Sequence, residues 1–364
     1  MGALADATDA AQWTAAELQW LVDAYRAMMP AKTLVEKLIT RFKHDERWSS
    51  LSCQDAVMEI VIHDAICEKF APQPIYTYRF LKRYMDALEN VGAEISDALA
   101  EELIQLVSIG RVLDPSSLDP DDMHHVTYRV PHEIAKSAND VTVTCRVASV
   151  FNEVGLKIWE AGWFLAEFAL AHRELFENRS VLELGAGVGI TGIIIGKCIA
   201  VRRLLLSDYA PKVMQNLRYN IEINAQISRP YLAQDVDADV IDWETWEPSD
   251  DAAQHRPDIL LAGDCVYDVA TFPSLVRVLH AFLGPQCEEL HTEGAAPSRI
   301  AIFAATIRNQ ATFEAFLSTL AQHCITYEDI TTPSLARMTP EPLFPYENRH
   351  QIRLCRLYRT PSLD

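Results

Sequence analysis

Residues 181–192 read Val-Leu-Glu-Leu-Gly-Ala-Gly-Val-Gly-Ile-Thr-Gly. A short apolar run with one acid, Glu183, enters a turn carrying Gly185, Ala186, Gly187 and Gly189, and an apolar helical pattern follows. Glycine lets the backbone take positive φ and approach a ligand closely. A turn that opens a helix also presents free N–H groups and the positive end of the helix dipole. The spacing is GxGxG. A dinucleotide fingerprint would need glycine where Ile190 stands, which counts against a nicotinamide enzyme. An acid just before the turn suits a ligand carrying positive charge, and S-adenosylmethionine, with its ammonium and sulfonium, is such a ligand. The alternative is a glycine-rich turn that serves only to pack a helix on a strand.

A second acid strengthens the first reading. Asp208 follows the apolar run Arg203–Ser207, the position where an α/β fold hydrogen-bonds a ribose diol. Asp208-Tyr209-Ala210-Pro211 is also a good helix start, and both roles can hold at once. After the run Asp258–Ala262 comes Gly263-Asp264-Cys265-Val266-Tyr267. The carboxylate of Asp264 and the phenol of Tyr267 can orient an amine beside a methyl donor; the alternative is a helix cap with a packed tyrosine. Asp242-Trp243 ends another strand, where the indole can stack on adenine. Trp159, in Ile158-Trp159-Glu160-Ala161-Gly162, opens a helix and can close over the methionine end of the ligand.

These groups need elements to hold them. Apolar residues at three-to-four spacing predict helices at Trp13–Met29, Thr33–Phe42, Gln54–Phe70, Tyr76–Leu88 and Ser96–Ile109, packed as a bundle. Tyr76 to Tyr84 is both aromatic and basic, so it reads either as one amphipathic helix or as a docking face for an acidic partner. Pro115–Asp122 reads as a linker, and His125–Val130 with Val141–Val147 as a β-hairpin. His124, His125 and His132 lack metal-ligand spacing, and no metal is expected.

From a helix at Leu156–His172 onward, strands and helices alternate. Strands are expected at 181–184, 203–207, within 232–241, at 258–262, 299–306, 325–330 and 351–358, with a loop at Pro285–Ser298. The expected fold is α/β: a doubly wound, parallel, seven-strand Rossmann-like sheet with an N-terminal α-helical domain. The expected boundaries are 1–115 for the helical domain, 116–150 for linker and hairpin, and 151–364 for the ligand-binding domain.

The chain has 364 residues, 49% of them hydrophobic, and a net charge of −19. That charge argues against a nucleic-acid backbone as partner. Eight cysteines are scattered without a CxxC pair, as in a reducing compartment. No apolar run is long enough to cross a membrane and no signal pattern opens the chain, so a cytoplasmic protein is expected.

The segment at Trp159, the run from Val181 to Gly189, Asp208, Asp242-Trp243 and the Asp-x-x-Tyr of Asp264 to Tyr267 together resemble the seven-strand protein-lysine methyltransferases. Leu343-Phe344-Pro345-Tyr346-Glu347 and the helical N-terminal region are most similar to the elongation factor 2 lysine methyltransferase family. The resemblance covers about 145–360 well and the N-terminal helices more loosely; Gly263 departs from it, since many relatives have alanine there. It implies that Trp159, Glu183, Gly185, Ala186, Gly187, Gly189, Asp208, Trp243 and Gly263 serve S-adenosylmethionine. It implies Asp264 and Tyr267 as catalytic, with Phe344 and Tyr346 lining a channel for the lysine. A monomer acting on a protein substrate, elongation factor 2, is the expectation. A same-fold enzyme acting on another protein or a small amine, or a catalytically weak binding module, are the alternatives.

Overall fold

The computed structural model describes residues 13–44, 47–108, 119, 121–151, 153–228, 230–247, 256–284 and 299–359. Most of the Pro115–Asp122 segment and all of the Pro285–Ser298 segment lie outside them. The chain forms two compact units. One comprises residues up to Tyr128 with Ala148–Val150; the other comprises Arg129–Val147 with Phe151 onward.

The first unit is built from α1 (Ala15–Arg26), α2 (Ala31–Arg41), α3 (Leu51–Ala56), α4 (Ala65–Lys69), α5 (Pro74–Asn90) and α6 (Asp97–Ser108). Thr14 and Glu17 form a capping box that starts α1. The helix expected over Gln54–Phe70 is broken. A π-helical turn, Val57–Ile62, follows α3, and Asp64 then accepts from the amides of Ile66 and Cys67 to start α4. Apolar spacing is nearly continuous across this break, so periodicity alone does not reveal it. Tyr76, Phe80 and Tyr84 of α5 are buried in the helical core, and the Tyr84 hydroxyl donates to the Trp48 carbonyl at 2.6 Å. Only the basic side of that stretch, Arg79 and Arg83, is exposed.

Strands β1 (Met123–Val130) and β2 (Val141–Ala148) make a two-stranded sheet, with α7 (His132–Ala135) between them in the chain. The second unit continues with α8 (Glu160–Ala171), β3 (Ser180–Leu184), α9 (Ile190–Cys198), β4 (Arg203–Asp208), α10 (Pro211–Gln226) and β5 (Val236–Val240). Then come β6 (Ile259–Gly263), α11 (Phe272–Leu283), β7 (Ile300–Thr306), α12 (Gln310–Gln322), β8 (Ile325–Asp329), α13 (Thr331–Leu335) and β9 (Ile352–Arg359). Helix α8 starts at Glu160, after a 3-10 turn at Val154–Leu156 and an extended Trp159 at its N-cap.

The sheet order is β5-β4-β3-β6-β7-β9-β8. From β5 to β7 all neighbours are parallel, as the alternation of elements requires. The expectation of an all-parallel sheet is corrected at one edge, where β9 lies antiparallel between β7 and β8. Apolar pattern reports burial, not strand direction, so this insertion was not legible. The chain winds outward through β4 and β5 on one side of β3 and through β6 and β7 on the other. Between β3 and β6 lies the switch point, and ligands of such sheets bind at the carboxyl ends of the strands there. Every residue of α9 is buried, which is why that helix is mostly apolar; its one charged side chain, Lys197, donates to the Asn224 and Ile227 carbonyls.

Candidate active site

The glycine turn leaves β3 at this switch point. Gly185 and Gly187 hold φ of 62° and 55°. A Cβ on Gly185 would stand 3.0 Å from the Cys265 sulfur and 3.4 Å from the Trp243 ring; on Gly187 it would stand 3.1 Å from the Gly155 carbonyl oxygen. Neither position admits a side chain without strain. The Ala186 amide donates to the Ser207 carbonyl at 2.8 Å, and the Gly187 amide donates to Asp208 Oδ2 at 3.1 Å. Asp208 Oδ1 accepts from the amides of Tyr209 and Ala210. This carboxylate therefore shapes the turn and starts the chain toward α10. Burial pushes its pKa up, against the pull of the three amides. Gly189 closes the turn at the N-cap of α9.

Glu183 sits differently from its expected place against the ligand. It is 3% exposed, and its carboxylate accepts from the Gly192 amide at 3.0 Å in the first turn of α9. What the structure shows is a carboxylate that fixes the helix behind the glycine turn. Burial raises its pKa to about 7, with the Thr191 and Gly192 hydrogen bonds opposing.

Trp243 is half-buried against Gly185 and Cys265, so the strand-end indole and the glycine turn do come together. A Cβ on Gly263 would meet only ordinary contacts, 3.4 Å to the Gly162 nitrogen and 3.5 Å to Ala161, in the first turn of α8. The end of β6 thus abuts the helix that Trp159 caps. The Trp159 indole donates to the Val154 carbonyl at 3.1 Å. Two cations lie over its ring, Lys157 at 5.1 Å and Arg308 at 5.4 Å.

Asp264 holds φ of 55°, in the left-handed region that Asp and Asn tolerate better than most residues. Its Oδ1 accepts from the Thr306 amide and its Oδ2 from Arg308 Nη2, both at 2.9 Å. Arg308 therefore links Asp264 to Trp159. Sequence reading missed it, because Arg308-Asn309-Gln310 reads only as a helix start; Asn309 indeed caps α12. Tyr267 is 57% exposed and lines a cavity of about 100 Å³ with Val266, Thr306, Arg308 and Phe313. Partial burial raises its phenol pKa.

Phe344 and Tyr346, expected in an amine channel, are both buried. The Tyr346 hydroxyl donates to Glu167 Oε2 at 2.7 Å, and its ring stacks on Trp163. Glu167, on α8, also accepts from the amides of Leu343 and Phe344 and pairs with Arg349 at 3.0 Å. The correction is plain: these aromatics pack the C-terminal segment onto α8, and the phenol is committed to Glu167. Asn348 extends the same seam by donating to Glu160, next to Trp159.

One support has a signal that sequence reading passed over. Asn216, Asn220 and Asn224 recur every four residues on α10, so they share one face. Asn224 and Asn220 each accept from and donate to the backbone of β2, at Thr144 and Arg146. Asn220 also donates to the Val188 carbonyl in the glycine turn at 2.9 Å. The row satisfies a strand edge with side chains and ties it to the turn.

The residues at the switch point fit S-adenosylmethionine. A glycine cradle with no room for Cβ atoms, a strand-end carboxylate at its rim and an indole against it are the donor and stacking set an adenosine needs. The lysine methyltransferase family profile matches residues 142–322. The protein-lysine N-methyltransferase EEF2KMT of Mus musculus is 28% identical over 311 residues, covering 84% of each chain. Its Homo sapiens counterpart is 28% identical over 307 residues, 83% of this chain and 84% of its own. The protein-lysine N-methyltransferase EFM3 of Chaetomium thermophilum is 24% identical over 329 residues, 84% of this chain and 91% of its own. The chain is a seven-strand, S-adenosylmethionine-dependent protein-lysine methyltransferase related to the EEF2KMT family.

Proposed function

We propose that the lysine methylated by this enzyme belongs to translation elongation factor 2. The observation that carries this reading is the extent of the similarity to EEF2KMT, which spans 84% of both chains. In this reading Asp208 and Trp243 hold the adenosine half of the cofactor, and the turn Gly185–Gly189 with Trp159 and Gly263 holds the methionine half. Glu183 supports the turn through α9. Bound S-adenosylmethionine supplies the sulfonium methyl group. The protein's own work is to align the lysine nitrogen with that methyl group and to keep water out. Asp264 and Tyr267 orient the amine at the mouth, and Phe344 and Tyr346 brace the wall behind it.

The helical unit is proposed to dock the protein substrate through the exposed Arg79 and Arg83 of α5. A stable protein complex needs roughly 800 Å² per partner, far more than a lysine channel supplies. The enzyme is proposed to act as a cytoplasmic monomer without nucleic acid, in keeping with its net charge of −19.

The test is transfer of a labelled methyl group from S-adenosylmethionine to purified elongation factor 2, with mass spectrometry of the product. Label on a lysine of elongation factor 2 supports the reading. Label only on other proteins in a lysate, or only in the small-molecule fraction, replaces the substrate and leaves the enzyme class intact.

A further inference from the structure

Asp264 already has a cation. Its carboxylate is 7% exposed, and it takes the Thr306 amide on one oxygen and the Arg308 guanidinium on the other. Arg308 is 49% exposed and also lies over Trp159. An unpaired carboxylate in this place would hold an arriving lysine as the ammonium, because an opposite charge within about 4–6 Å favours the charged form by about 1–3 pKa units. In that state the nitrogen lone pair is tied up by the proton and cannot accept a methyl group.

The neighbouring cavity has the same bias. Among the described residues its lining contains no anionic side chain, and Arg308 is the charged one. The Thr306 hydroxyl on its wall is buried and has no hydrogen-bond partner among the described residues. A neutral amine can donate to such an oxygen without bringing a charge into the cavity.

We propose that Arg308 is a positioning residue that neutralises Asp264, so that the target lysine occupies the site as the free amine and gives up its proton to solvent on entry. This inference rests on the protein-lysine reading above. Arg308 acts through Asp264 and through its own positive charge, which disfavours a second cation beside it.

Other titratable groups face the same place. From the loop after β6, burial raises the pKa values of Cys265 and Tyr267, so both keep their protons near neutrality. From β3 and β4 come Glu183 and Asp208, and Lys157 lies beside Trp159. All of these are shared by wild type and variants, so the difference between their pH profiles isolates Arg308.

The experiment measures kcat at saturating elongation factor 2, which reports the ionisation of the bound lysine, from about pH 6 to about pH 10 for wild type, Arg308→Ala, Arg308→Lys and the double variant Arg308→Ala/Asp264→Asn. In Arg308→Ala the acidic limb should move up by about one pH unit or more, with kcat near neutrality falling roughly tenfold and recovering at alkaline pH. Arg308→Lys should keep the limb in place, and the double variant should return it toward wild type. A second readout does not depend on turnover: calorimetry of elongation factor 2 binding, in buffers of different ionisation heat, should show more protons released by wild type than by Arg308→Ala. An unmoved limb with equal proton release overturns the inference and leaves the substrate reading standing. So does an Arg308→Ala enzyme with lower KM and higher kcat, since Arg308 would then be a plug that the lysine displaces. Wild-type enzyme that labels no lysine of elongation factor 2 removes the reading, and this inference with it.

Discussion

The Gly187 amide donates to Asp208 Oδ2 at 3.1 Å, so the ligand turn after β3 and the acid that ends β4 form one hydrogen-bonded assembly. Whatever disturbs Asp208 therefore reaches the turn.

Asp208→Ala should lower S-adenosylmethionine affinity roughly ten- to a hundredfold, since hydrogen bonds to a charged group are worth about 1.5–3 kcal/mol. The turn also loses an acceptor, so a modest drop in Tm should accompany it. Isothermal calorimetry beside a thermal melt reads both. Unchanged affinity would move the ribose ligand elsewhere.

Glu183→Gln should alter how stability depends on pH. Burial places the Glu183 pKa near 7, above its ordinary value of 4.5. Between those values the folded state binds more protons than the unfolded state. The group's contribution is thus fully present below about pH 4.5 and is lost as pH rises through about 7. Glutamine still accepts from the Gly192 amide and carries no charge. The variant's unfolding free energy, read by urea denaturation at each pH, should match wild type near pH 4.5 and exceed it at pH 8 by a margin on the order of 1–3 kcal/mol. A constant gap across that range would show that Glu183 stays ionised in the fold.

Asp264→Asn should keep the fold and cofactor affinity but depress turnover. Asparagine tolerates the φ of 55° and still accepts from the Thr306 amide, while the ion pair to Arg308 is lost. Calorimetry with S-adenosylmethionine beside steady-state kinetics separates the two effects. Cofactor affinity falling in step with activity would place Asp264 in the cofactor pocket.

Gly263→Ala and Gly187→Ala should part company. At Gly263 a Cβ makes contacts of 3.4–3.5 Å and no positive φ is involved, so stability should stay within about 0.5 kcal/mol of wild type. At Gly187 the φ of 55° and the 3.1 Å approach to the Gly155 carbonyl should cost about 1–2 kcal/mol. Urea denaturation of the two variants decides it; equal losses would mean the turn is softer than its contacts imply.

Asn220→Leu should leave the Arg146 amide and the Val188 carbonyl without their partner, at about 1–3 kcal/mol for each buried group left unsatisfied. Because Val188 belongs to the glycine turn, S-adenosylmethionine affinity should fall as well. A stable variant with unaltered affinity would show that the asparagine row does not support the site.

Much of this protein follows from sequence because its signals are local. Glycines before an apolar helix, an acid at a strand end and alternating periods of two and 3.6 residues report backbone geometry and burial directly. They sufficed for the βα order, for the switch point where Trp243 lies against Gly185 and Asp208 accepts from Gly187, and for the class of ligand. Tertiary structure decided what depends on partners distant in sequence. Strand direction carries no periodic signature, so β9 appeared antiparallel only in the sheet. Glu183 and Tyr346 are polar groups that can face a ligand or satisfy a buried neighbour. Only folding showed that Gly192 and Glu167 claim them. Arg308 lies 44 positions from Asp264 in the chain, and nothing between them marks the pair. It was the parallel pairing of β6 with β7 that brought the two strand ends together and set a guanidinium on the carboxylate.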